Sequence, residues 1–197
     1  MAPIPYSDVS AAVVFFVLVA VFVAGEEFLI IRTLVRHDGA RSDRGTHLYS
    51  AGGVAVGVGG AFTLAGTVGG ASLGDARWAA YAAGLALMAG GLAVRWWSIR
   101  TLGRSFTVDV RTRTGQTVID TGPYRWVRHP SYTGLLLICA GTGLALGNGA
   151  ALACAILIPL AGLVARIHTE ERVLLRELGE PYRLFAKGRA RLIPGVW

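Results

Sequence analysis

Residues Tyr132–Ile167 read YTGLLLICAGTGLALGNGAALACAILIPLAGLVARI, an apolar run whose one charged side chain is Arg166. It is far longer than the roughly 20 residues that cross a bilayer once. Gly147-Asn148-Gly149 divides it, which predicts two transmembrane helices joined by a tight turn. Pro159 is expected to kink the second arm, where neighbouring helices can satisfy the freed carbonyl.

Composition agrees with a membrane-embedded chain. Of 197 residues, 53% are hydrophobic and only 16% charged, against about a quarter charged in soluble domains; mean hydropathy is +0.53. The net charge of +7 sits at the ends of apolar spans rather than on one basic face. It therefore reads as a topology signal and an attraction to anionic lipid headgroups, not as nucleic-acid binding. Cys139 and Cys154 lie inside apolar runs without metal-ligand spacing, so neither a disulfide nor a metal site is expected. No Lys or Arg precedes the first apolar stretch, so that span lacks the basic start of a secretory signal and is expected to remain.

Upstream of the hairpin, three more spans are predicted, at about Val9–Ile31, Leu48–Gly70 and Arg77–Ile99. The expected architecture is all-α, an integral membrane protein with about five transmembrane helices. Residues 1–99 hold the three N-terminal helices, and residues 100–197 a catalytic half of polar connector, hairpin and amphipathic C-terminal helix. Gly53/Gly57 and Gly66/Gly70 have the small-xxx-small spacing of close helix packing; a phosphate-binding glycine loop would need a preceding strand. Arg95, Trp96, Trp97 and Arg100 read as an interfacial belt, and Trp126 likewise. Glu26 and Glu27, near the end of the first span, read more readily as interfacial than as an intramembrane site. Arg-rich loops after the first and third spans and the Arg-rich tail fall on one side. The positive-inside rule makes that side cytoplasmic, with the N-terminus outside.

Two polar blocks flank the hairpin on that side. Thr121–Gly134, Thr-Gly-Pro-Tyr-Arg-Trp-Val-Arg-His-Pro-Ser-Tyr-Thr-Gly, is bent at Pro123 and Pro130, each of which restricts itself and its predecessor. His129 sits on such a bend between Tyr124 and Tyr132, where donors and stacking surfaces are pre-positioned. After the hairpin come Arg166, Glu170 and Glu171. Arg166 and Glu170 share a helix face, either as a stabilising pair with a snorkelling Arg or as a site with one charge for each end of a ligand. Glu171 points about 100° away, towards a neighbouring wall.

These blocks, Gly-Pro-Tyr-x-x-Val-Arg-His-Pro-x-Tyr-x-Gly and Arg-Ile-x-x-Glu-Glu-x-x-Leu-x-x-x-x-Gly-x-x-Tyr with a closing Ile-Pro, resemble the isoprenylcysteine carboxyl methyltransferases and their bacterial relatives. More distantly they are similar to the phospholipid N-methyltransferases. The resemblance covers about Asp109 to Pro194. It implies an S-adenosylmethionine-dependent membrane methyltransferase, with S-adenosylhomocysteine as product and no Rossmann sheet. The implied cofactor contacts are Gln116, Thr117, Val118, Ile119, Tyr124, His129, Pro130, Ser131, Tyr132 and Glu170, with Glu171 beside them. Arg166 is the implied substrate contact, and Arg166 with Glu170 the implied catalytic pair. The family often has His where this chain has Gln116, and relatives can carry Gln near Asp109. A lipophilic small molecule or lipid entering between the helices is the expected acceptor, and a carboxylate, an amine or a thiol each stays open. Two rivals remain. NADPH-dependent membrane reductases share an Arg-His-Pro-x-Tyr block but more usually have Asn and Glu where this chain has Ser131 and Leu135. A non-enzymatic scaffold or transporter is the other, although no internal repeat is visible.

Overall fold

The computed structural model describes residues 2–35, 47–103 and 118–197. Among these, helices account for nearly all regular structure: α1 (Ile4–Ser7), α2 (Val9–Val35), α3 (His47–Thr67), α4 (Arg77–Leu102), α5 (Pro130–Ala145), α6 (Gly149–Leu178) and α7 (Glu180–Ala186). Short 3₁₀ turns at Gly69–Ala71, Gly74–Ala76 and Gly122–Arg125 fill the connections. No strand occurs among the described residues, only isolated bridges at Ser72–Asn148 and Val127–Ala190. The protein is an all-α integral membrane protein. Helices α2, α3, α4 and α6 are long and apolar enough to cross a membrane, and α5 is shorter. Pro130 opens α5 and Gly147, at φ +63°, closes the turn after it, so its 16 residues reach only about 24 Å. It is the inner helix of the bundle, packed on α4 and α6.

Glycine sets the α4–α5 distance. A Cβ on Gly84 would stand 2.6 Å from the Gly141 carbonyl oxygen, and one on Gly91 2.6 Å from that of Gly134. Backbones meet directly along this seam, as small residues permit in lipid. Gly91→Ala should therefore destabilise the fold by about 1–3 kcal/mol, the cost of overpacking. Thermal unfolding in detergent checks this, with Gly90→Ala as control because nothing lies within 4 Å of that position. On the opposite side, Gly53 and Gly57 do pack, against Ile158 and the Pro159 ring of α6. The Gly66/Gly70 spacing does not: both face open space, because α3 ends at Thr67 and Gly70 falls in the following turn.

The hairpin turn forms as its residues dictate. Asn148 caps α6, its side-chain oxygen accepting from Ala150 N at 3.0 Å and Ala151 N at 3.1 Å, while its amide donates to Val68 O at 2.8 Å. Far from this turn, α6 continues past its apolar part to Leu178 without a break, then turns at Gly179, φ +61°, into α7. Helix α2 is peripheral and most of its apolar surface faces outward. It is held near its start by Phe15 against Phe62 and by the Tyr81 hydroxyl donating to Ala11 O at 2.7 Å.

Candidate active site

The site lies where the start of α5, the end of α6, α7 and the C-terminal tail converge. His129 is the residue before α5, with φ −125° and ψ 58°, and Pro130 occupies the first helical position, where a missing N–H costs nothing. The His129 ring does not cap the helix and lies stacked on Tyr132, centroids 5.5 Å apart. The tail runs alongside. Arg128 N donates to Ala190 O at 2.9 Å, His129 N to Arg191 O at 3.0 Å, and the Thr133 hydroxyl to Leu192 O at 2.7 Å. These amides, which could have met a ligand carboxylate, are thus used by the tail.

Arg166 and Glu170 are joined through a third group. Arg166 Nε donates to the Tyr132 hydroxyl at 2.6 Å, and that hydroxyl donates to Glu170 Oε2, also at 2.6 Å. Arg166 is 5% exposed, and its guanidinium lies 5.8 Å from the Tyr132 ring centre. The three residues form a relay from buried cation through a half-buried phenol to a partly exposed carboxylate. In such surroundings each charge is costly unless bonded, so the relay is a rigid arrangement. Glu171 does point elsewhere. Its Oε1 accepts from Arg128 Nη1 at 2.7 Å and its Oε2 from Arg191 Nε at 2.9 Å, with His129 Nε2 3.4 Å from Oε1. Glu171 thereby clamps α6 to the α5 bend and to the tail, and both its oxygens are engaged.

Beside the relay, Tyr124, Tyr182 and Phe185 form an apolar cluster, with Val118, Leu174 and Leu178 packed against it. Burial first, then the charges of Glu171 and Glu170, hold the Tyr182 phenol above its ordinary pKa. Burial, then Glu170 and Tyr132, do the same for Tyr124 against the opposing pull of Arg95. Both therefore remain neutral hydroxyls. The Tyr182 hydroxyl is buried with no hydrogen-bond partner among the described residues, an expensive condition for a polar group.

Gln116 and Thr117 lie outside the described residues, while Val118 packs half-buried against the cluster and Ile119 is half-buried. Pro130 is buried in the first turn of α5, and Ser131 faces away from the cluster towards α4. There Arg95 is not an interfacial anchor. It is 8% exposed and ion-paired with Glu26 at 2.6 Å, which places Glu26 inside the bundle wall. An intramembrane carboxylate and an intramembrane guanidinium in one chain each need a partner, and that need was the available signal. Trp97 and Trp126 are exposed and meet edge to face, as belt residues do. Tyr182 had been indistinguishable from Leu174 and Leu178 on an apolar helix face. Among the described residues no cluster of His, Cys, Asp or Glu is gathered for a metal.

The sequence model of the isoprenylcysteine carboxyl methyltransferase family matches residues 84–176. Over this segment the chain is similar to that family. The match takes in Arg95, the Tyr124–Tyr132 block, Arg166 and Glu170, and it stops before Tyr182 and Arg191. The chain is 31% identical over 115 residues to protein-S-isoprenylcysteine O-methyltransferase A of Arabidopsis thaliana, covering 57% of this chain and 58% of that protein. It is 33% identical over 87 residues to the protein-S-isoprenylcysteine O-methyltransferase of Saccharomyces cerevisiae, covering 43% of this chain and 36% of that protein. The chain thus spans roughly a third to three-fifths of the length of these relatives.

Proposed function

We propose that this protein transfers a methyl group from S-adenosylmethionine to the carboxylate of a lipophilic, isoprenylcysteine-like acceptor, at the cytoplasmic face of the membrane. The observation that carries the reading is the Arg166–Tyr132–Glu170 relay beside the apolar Tyr124–Tyr182–Phe185 cluster. Similarity to the family supports it, as do the names of the relatives.

The residues present suit the methyl donor. The unpartnered Tyr182 hydroxyl can bond a ligand heteroatom, and Tyr124, Phe185 and Val118 offer apolar walls to a planar base. Glu170 supplies negative charge for an ammonium group. When bound, S-adenosylmethionine contributes an electrophilic methyl group carried on sulfur.

The remaining work falls to side chains of this chain. Arg166, oriented by the Tyr132 hydroxyl, holds the acceptor carboxylate with its planar fork. A carboxylate is ionised at pH 7, so no residue need take a proton from it. Tyr132 keeps its own proton on the hydroxyl that bonds Glu170, and this fixes Glu170 relative to Arg166. His129, stacked on Tyr132 and tied to Glu171, keeps that ring from turning. Apolar walls around these groups exclude water, and charge neutralisation between two bound reactants is favoured in such surroundings. The Arg-rich segments at this end of the bundle support its assignment to the cytoplasmic side.

Calorimetry of S-adenosylhomocysteine and of NADPH with the detergent-purified full chain tests the reading. Micromolar binding of S-adenosylhomocysteine alone is expected, weakened about tenfold or more in Glu170→Ala through loss of a charge-assisted bond. Binding of NADPH alone would move the protein to the membrane reductases.

A further inference from the structure

Outside the Tyr124–Tyr182–Phe185 cluster, Arg95 donates four hydrogen bonds. Its Nε and Nη2 donate to Glu26 Oε1 and Oε2 at 2.6 and 2.7 Å. Its Nη1 donates to the Ser131 carbonyl at 3.1 Å and the Ser131 hydroxyl at 2.9 Å. One guanidinium therefore ties together α2, α4 and the first turn of α5. Ser131 is flanked by Pro130 and Tyr132 and lies two residues from His129. Small residues bring the parts into register. A Cβ on Gly134 would stand 2.8 Å from Arg95 N, and one on Gly25 3.1 Å from the Trp96 ring. Apolar Phe22, Leu29, Leu92, Trp96 and Ile99 surround the ion pair, so it sits where charges persist only if fully bonded. Glu26 lies outside the family-matched segment and Arg95 inside it.

We propose that Glu26, Arg95 and Ser131 form a brace that fixes the His129–Tyr132 segment, making Arg95 a positioning residue for methyl transfer. The brace acts through Ser131 on Tyr132, whose hydroxyl orients both Arg166 and Glu170. Its effect on turnover rests on the methyltransferase reading; its effect on the order of the α5 start does not. A buried ion pair that only holds helices together can be exchanged for apolar side chains with little loss. A brace cannot, because the Ser131 contacts go with it.

The test compares the wild-type chain with Glu26→Leu/Arg95→Met, Ser131→Ala, Glu26→Gln and Glu26→Gln/Ser131→Ala in detergent. Three quantities are measured: thermal unfolding, hydrogen exchange of the amides at 131–135, and turnover with S-adenosylmethionine and an S-farnesylcysteine probe. In the apolar double variant, exchange at 131–135 should rise and turnover should fall, each by about tenfold, with the probe KM within about twofold of wild type. Exchange in the α3–α6 contact should stay unchanged. Wild-type exchange and wild-type turnover in a folded double variant overturn the proposal. Should that variant not fold, Ser131→Ala decides, since it removes one hydroxyl from a helix end. It should lower turnover about threefold, and adding Glu26→Gln should bring less than the product of the two single effects, because coupled residues are non-additive. Strictly multiplicative losses overturn the brace. A wild type that binds no S-adenosylhomocysteine and leaves the probe unmethylated would instead remove the methyltransferase reading. In that case the exchange data alone still decide whether the brace exists.

Discussion

Arg166→Lys should lower methyl-transfer turnover by about a hundredfold while leaving S-adenosylhomocysteine affinity within a few-fold of wild type. Lysine keeps the positive charge, so a purely electrostatic role would survive the change. What it loses is the planar fork, in which Nε already bonds the Tyr132 hydroxyl at 2.6 Å. A single ammonium cannot hold that hydroxyl and also present two parallel donors to a carboxylate. Steady-state turnover together with calorimetry separates the two effects. Equal turnover in Arg166→Lys would remove the acceptor-orienting role from Arg166. A fall in S-adenosylhomocysteine affinity matching the fall in turnover would place Arg166 with the donor rather than the acceptor.

Glu171→Ala should destabilise the folded protein by about 3 kcal/mol, the lower end of the range for breaking a buried ion pair. The lower end applies because Arg128 and Arg191, the partners left behind, are 18% and 27% exposed and regain some water. The change leaves two guanidinium groups and the His129 ring without their shared acceptor. The tail bonded to Arg128 and His129 should loosen first, before the α4–α5 seam. Hydrogen exchange at 190–192 and at 128–129 reads this directly, alongside thermal unfolding. Protection there equal to wild type would show that the backbone bonds hold the tail without the clamp. Glu170→Ala provides the contrast. Glu170 bonds one phenol and is partly exposed, so its loss should affect ligand binding more than stability.

The helices were legible because bilayer physics leaves few alternatives: apolar segments of sufficient length must close their own backbone hydrogen bonds. The break at Gly147-Asn148-Gly149 was legible for the same local reason, since it places turn residues between apolar stretches. Arg166, Glu170, His129 and Tyr132 stood out because polar groups at the membrane edge require partners. Their partnership was only half readable. Helical spacing puts Arg166 and Glu170 on one face, but the joining group, the Tyr132 hydroxyl, comes from 34 residues earlier in the chain. Gly66/Gly70 had the same spacing as Gly53/Gly57, yet only the latter meets another helix, because spacing describes a helix face and not what lies opposite.

Taken by itself, the sequence determined the membrane class, the order of the helices, the hairpin and the set of polar residues from which a site could be built. Each of these follows from local composition and from periodicity along one chain segment. Tertiary structure alone decided which charge answers which, Glu26 with Arg95 and Glu171 with Arg128 and Arg191, and left the Tyr182 hydroxyl in its apolar cluster with no partner among the described residues. Such pairings depend on helix rotation and on the close approach of backbones at Gly91 and Gly134. In an apolar interior, a rotation that leaves a charge unpaired is strongly disfavoured, so the whole bundle selects the partners together.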